Sequence, residues 1–127
     1  MCPQPSSSPV VLLVEEETHE RVAITEHLNG AGYAVLEAED TDQALSFLEG
    51  HSDVRALVTD AHVPGQMDGF ELARMVRERW PQIGVVLMSG HSDASSGPVP
   101  EGGKFIAKPY LFSYLVPTLE RLIQPAD

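Results

Sequence analysis

The run Val10–Val14, VVLLV, is apolar without interruption and rich in β-branched side chains. A strand with one wet face alternates apolar and polar residues, so an unbroken run reads as a strand covered on both faces, as strands inside a parallel sheet are. Three carboxylates, Glu15, Glu16 and Glu17, follow it at once. Carboxylates repel one another and are costly to desolvate without a partner. Such a cluster at the mouth of a buried strand therefore either faces water, as the solvated start of a helix, or holds a cation.

The rest of the chain alternates helix and strand patterns. Val22, Ile24, Leu28 and Ala31 mark the apolar side of a helix that NGAG, Asn29 to Gly32, stops. YAVLEA then alternates like a strand, and Asp40 or Thr41 can cap a short helix carrying Ala44, Leu45 and Leu48, ended by Gly50. ALVTD is a third strand ending on Asp60. GFELARMVRERW is the most clearly amphipathic helix, with Leu72, Val76 and Trp80 at i, i+4, i+8 and Pro81 as its stop. IGVVLM and GKFIA read as the fourth and fifth strands, and YLFSYLVPTLERLI closes the chain as a helix. Pro117 removes a backbone donor there, which predicts that this helix starts late, near Ser113 or Tyr114, or kinks. Met75, Met88 and Trp80 read as packing. Five strands spaced by helices imply an α/β fold, a doubly wound five-stranded parallel sheet with right-handed crossovers and helices on both faces.

At 127 residues the chain has room for one core, placed over 10–124 with short tails at 1–9 and 125–127. The opening MCPQPSSSP has no hydrophobic signal core. Nineteen acidic against eight basic residues give a net charge of −11, which argues against nucleic acid or an anionic membrane surface as partner. A single cysteine, Cys2, can form no internal disulfide, and no apolar run approaches the length of a membrane span. A soluble cytoplasmic protein is the expectation.

In open parallel sheets the site lies beyond the carboxyl ends of the strands. Glu15 and Glu16 stand at the end of the first strand, Asp60 at the third and Ser89 at the fourth, while the fifth runs through Phe105 to Lys108. Carboxylate oxygens with a backbone carbonyl and water suit a hard cation such as Mg²⁺. With a metal and Lys108 neutralising charge, a remaining carboxylate can attack a phosphoryl group, a transfer that needs chiefly alignment and electrostatic support. Asp60, alone on a central strand, is the best nucleophile.

LVTDAHVPGQMDGFELA, VEEE, VVLMSGH and KFIAKPY, in this order and each at a strand end, resemble the receiver domain of two-component response regulators from about Val10 to Ile123. The resemblance implies the flavodoxin-like strand order 2-1-3-4-5. It makes Asp60 the acceptor of a phosphoryl group from a phosphohistidine on a sensor histidine kinase or histidine phosphotransfer protein. Glu16 would hold Mg²⁺ directly, Glu15 through water, and His62 through its backbone carbonyl. Ser89 aligns with the switch hydroxyl, Phe105 with the switch aromatic and Lys108 with the phosphate-pairing lysine; Pro109 would follow a cis bond that aims Lys108 into the site. His62 and His91 align with side chains that tune hydrolysis. Ser89 and Lys108 on the new phosphoryl oxygens would bias a two-state surface read by a downstream protein.

Several features depart from that pattern. The second acid is more often aspartate than a glutamate such as Glu16. Between Pro64 and Gly69 there is one residue more than the commonest spacing, as in PG-x-MDG receivers. SGHSDASSGPVPEGG, where a fourth helix is normally found, is short and lacks an apolar period, which predicts an irregular or shortened helix. Plain readings compete: Phe105 as core, Lys108 as a solvated charge, the two histidines as exposed loop residues. A degenerate receiver that binds partners without phosphorylation is the alternative function. A haloacid-dehalogenase phosphatase would want a second aspartate where His62 stands, and a flavin carrier's phosphate would be repelled by EEE. With no output region before its end at Asp127, the chain is expected to be a stand-alone receiver.

Overall fold

The computed structural model describes residues 8–90, 99–100, 102–108 and 110–123. The order of elements is β1 (Val10–Val14), α1 (Thr18–Gly30), β2 (Ala34–Ala38), α2 (Thr41–Gly50), β3 (Val54–Asp60), α3 (Gly69–Arg79), β4 (Gly84–Ser89), β5 (Lys104–Ala107), a 3₁₀ turn (Lys108–Tyr110) and α4 (Leu111–Leu122). All strand pairs are parallel and the sheet order is β2-β1-β3-β4-β5. The doubly wound α/β architecture and the order 2-1-3-4-5 expected from the sequence are both present.

Val10–Val14 shows why the run is unbroken. Leu12 and Val14 enter one core with Ala44 and Leu48 of α2 and Leu72, Ala73 and Val76 of α3. Val11 and Leu13 enter a second core with Ile24 and Leu28 of α1 and Leu111, Leu115 and Leu119 of α4. Successive side chains point to opposite faces, and both faces are covered by helices, so no position on this strand can be polar.

Caps fix where the helices begin. Asp40 accepts from the Gln43 N–H ahead of α2. Asp68 and Glu71 form a reciprocal capping box at the start of α3. Gly32 takes φ +99° just after α1, a left-handed conformation that glycine adopts without steric cost. No helix is long and apolar enough to cross a membrane, among the described residues.

Three sequence expectations need correction. Val22 is 43% exposed, and Ala31, the C-cap, is also exposed, so the buried stripe of α1 is Ile24 and Leu28. At 100° per residue Val22 lies about 160° from Ile24, on the far side of the helix. Trp80 packs against the core as the C-cap of α3 and not within it. The last helix starts at Leu111 and carries Pro117 in its interior, earlier than the proline suggested. Leu111, Leu115 and Leu119, spaced i, i+4, i+8, are all buried, while Pro117 points to water. Burying three leucines contributes about 1.5–3 kcal/mol each, more than the ~3 kcal/mol that an interior proline costs. The shortened fourth helix expected in the 89–103 segment falls on 91–98, outside the described residues.

Candidate functional site

Strand register brings the polar residues together. Val14 pairs with Thr59, Asp60 with Met88, and Ser89 with Ala107, so Glu15, Asp60, Ser89 and Lys108 all stand at one rim. The three consecutive glutamates divide three tasks. Glu15 is buried, 3% exposed, and its Oε2 accepts from the Glu17 N–H at 2.9 Å. Glu16 is exposed in the turn. Glu17 is the N-cap of α1, accepting from the Glu20 N–H at 2.9 Å, and that bond holds its carboxyl below the usual range. Arg21 clamps the turn from behind. Its Nη1 donates to the Glu15 and Glu16 carbonyls at 3.0 and 3.4 Å, and its Nε pairs with Glu37 of β2 at 3.0 Å.

Lys108 is the centre of the cluster. Its Nζ lies 2.7 Å from Asp60 Oδ2, 3.0 Å from Glu15 Oε1 and 2.6 Å from Glu20 Oε1. The other oxygen of Asp60, Oδ1, accepts from the His62 N–H at 2.9 Å, so both oxygens of this carboxylate are held. Burial raises the Glu15 carboxyl to about 7, against the lowering pull of the Glu17 N–H and of Lys108. Burial alone would lower Lys108, but its bonds to Asp60, Glu20 and Glu15 outweigh this and hold the ammonium above the ordinary lysine range. Three carboxylates thus face one ammonium.

Behind Asp60 the backbone is tightly built. The Gly69 N–H donates to the Ala61 carbonyl at 3.0 Å, and a Cβ at Gly69 would press on the Asp60 carbonyl oxygen. Thr41 fastens the longer loop before α3, with its N–H on the Pro64 carbonyl and its Oγ1 on Met67 O. Gly65 absorbs the extra residue there at φ +129°. Asp60 keeps its place at the end of β3.

Of the residues expected at the site, Glu15, Asp60 and Lys108 are in direct contact. Ser89 is buried beside them at the end of β4. His62 contributes its N–H, and its ring packs edge-on to Phe70 at 6.2 Å. Phe105 sits on β5, half-buried, packed against the first core while lining a groove with Tyr110 and Tyr114. Glu16 is not drawn in: the chain turns out of the sheet after Glu15, and the carboxylates whose oxygens lie within 4.8 Å of one another are those of Glu15, Glu20 and Asp60. No cis peptide bond occurs among the described residues, and the placement of Pro109, before which one was expected, lies outside that description. His91 lies outside the described residues. Glu20 was not anticipated. The available signal was its place as third residue of α1, a first-turn position that faces the strand ends in a parallel α/β sheet.

Comparison with known proteins decides what this rim belongs to. The family model "Response regulator receiver domain" matches residues 11–119. The chain belongs to the response regulator receiver family. It is 33% identical over 126 residues to the sensor kinase CckA of Brucella abortus, covering 96% of this chain, and 28% identical over 116 residues to the response regulator receiver protein CpdR of the same organism, covering 89% of this chain and 95% of CpdR. A response regulator receiver protein from Sinorhizobium medicae superposes with a TM-score of 0.83 at 25% identity, over 93% of this chain and 96% of that one. The chain spans 13% of the length of CckA and 24% of the transcriptional regulator HoxA that it also matches. It is a phosphoacceptor signalling module of the two-component type. Receivers in general bind Mg²⁺ and work with histidine kinases or phosphotransfer proteins. The donor set of this receiver fits that ion: the Glu15 and Asp60 carboxylate oxygens that converge there are hard ligands of the kind Mg²⁺ takes, and together they exceed the single lysine in charge.

Proposed function

We propose that Asp60 is the phosphoacceptor of this receiver and takes its phosphoryl group from the phosphohistidine of a sensor histidine kinase or a histidine phosphotransfer protein. The observation that carries this reading is the Asp60 carboxylate, held at 2.7 Å by Lys108 and at 2.9 Å by the His62 N–H beside buried Glu15. An Asp60 oxygen attacks phosphorus, the P–N bond of the donor breaks, and its electron pair leaves with the imidazole. Lys108 keeps the nucleophile oriented and then pairs with the new phosphoryl oxygens, with Ser89 as the hydroxyl on their other side. Glu15, Asp60 and the His62 carbonyl would hold Mg²⁺, while Glu16 would have to swing in from its exposed place in the turn to join them; the ion would supply charge neutralisation at the transferring phosphoryl group. Phe105 responds to the Ser89 movement, which presents a changed surface to a downstream protein partner, and His62 and His91 set the lifetime of the acyl phosphate.

The test is intact-mass spectrometry after acetyl phosphate and Mg²⁺. The expected result is a gain of one phosphoryl group that Asp60→Asn and EDTA each abolish. An unmodified wild-type protein would instead favour a degenerate receiver that acts by binding alone.

A further inference from the structure

A lysine ammonium has three N–H donors, and Lys108 has three carboxylate partners: Asp60, Glu15 and Glu20. If Asp60 accepts phosphate, a phosphoryl oxygen must take one of these donors, so one partner has to leave. Asp60 is the reacting group. Glu15 is buried and fastened through its second oxygen to the Glu17 N–H, so withdrawing it would break two bonds and strand a carboxylate away from water. Glu20 is different. Its side chain is 48% exposed, it projects from the first turn of α1, and it can return to water without a desolvation cost. It also bonds Lys108 at the shortest of the three distances, 2.6 Å.

We propose that Glu20 is a positioning residue that latches Lys108 in the resting receiver and must release it before the phosphoryl group is accepted. Glu20 and the incoming phosphoryl oxygen compete for one donor, and the added negative charge on Asp60 then repels the Glu20 carboxylate. Glu20 and Lys108 both line a groove of about 250 Å³ between α1 and α4, beside His19 and Phe112, so release of the latch also changes the wall of that groove. This inference rests on the reading of Asp60 as acceptor and adds to it the element that sets the pace of acceptance.

Glu20→Gln removes the charge, and Glu20→Asp keeps the charge but withdraws it by one methylene. Both are compared with wild type for the rate of mass gain with acetyl phosphate and Mg²⁺, for Mg²⁺ affinity by calorimetry, and for acetic anhydride labelling of Lys108 without any phosphodonor. Both variants should accept phosphate about 1.5- to 5-fold faster, the range an exposed ion pair supplies when its loss lowers a barrier. Lys108 should label faster in both, with Mg²⁺ affinity unchanged. A fast Gln variant beside an Asp variant equal to wild type would reduce the effect to bulk charge and overturn the latch. So would slower phosphorylation with weakened Mg²⁺ binding, which would make Glu20 a metal ligand. Equal phosphorylation and equal labelling in all three proteins overturns it as well. No mass gain in any of them defeats the acceptor reading and the latch together.

Discussion

Replacing Glu15 by glutamine should remove a pH-dependent weakness of the metal-free fold. The Glu15 carboxyl titrates at about 7 in the folded chain against an ordinary 4.5, with burial as the leading cause. Between these values the native state holds a proton that the unfolded chain has lost, so stability is highest below 4.5 and falls as pH rises through 7. The full difference is about 3 kcal/mol, most of which falls between pH 5 and pH 8. Glu15→Gln keeps an oxygen for the Glu17 N–H and carries no charge to desolvate. Urea unfolding of both proteins in EDTA at pH 5, 6.5 and 8 measures the effect, since subtracting the variant cancels the other titrating groups. The raised Lys108 acts above pH 10 and does not enter this window. The stability of wild type relative to the variant should fall by roughly 2–3 kcal/mol across the range. Saturating Mg²⁺ should reverse the trend in wild type alone, because a bound cation favours the ionised carboxylate. Parallel curves for the two proteins in EDTA would refute the argument, because Glu15 would then be ionised at no cost in its buried position.

Two further outcomes follow from the backbone. Pro117 stands on the exposed side of α4 and leaves the Ser113 carbonyl without its i+4 donor, so Pro117→Ala should stabilise the chain by roughly 1–3 kcal/mol, read as a higher urea midpoint. Gly69→Ala should do the reverse: its Cβ would fall against the Asp60 carbonyl and 2.8 Å from Ala61 Cα, both backbone and unable to step aside. A loss of roughly 2–4 kcal/mol is expected, together with slower mass gain at Asp60 because the acceptor's own backbone must shift.

The strands and the polar rim are legible because their signals are local and periodic. VVLLV admits no wet face, and a parallel register then places the last residues of neighbouring strands on one rim, which is enough to bring Glu15, Asp60 and Lys108 together before any side chain is seen. What escaped depends on contacts between distant segments or on helix phase. Glu20 meets Lys108 across 88 residues of sequence, and its first-turn position places it near the strand ends without naming its partner. Val22 is apolar but lies on the far side of α1 from Ile24, and Ala31 falls at the C-cap, beyond the last buried turn. Pro117 taken alone is a helix breaker, but Leu111, Leu115 and Leu119 decide where the helix starts.

The three adjacent glutamates show how much depends on one turn of chain. Glu17 has become a helix cap, Glu16 remains in water, and Glu15 alone is carried into the core rim, where it shares one ammonium with Asp60 and Glu20. Asp60 and Glu15 alone already exceed Lys108 by one negative charge, a surplus that a divalent cation relieves. Glu20 adds a third carboxylate to the same ammonium, and as the most exposed of the three it is the one free to move. The arrangement lowers the stability of the empty fold at neutral pH and in return makes ion binding and phosphoryl acceptance the events that relax it.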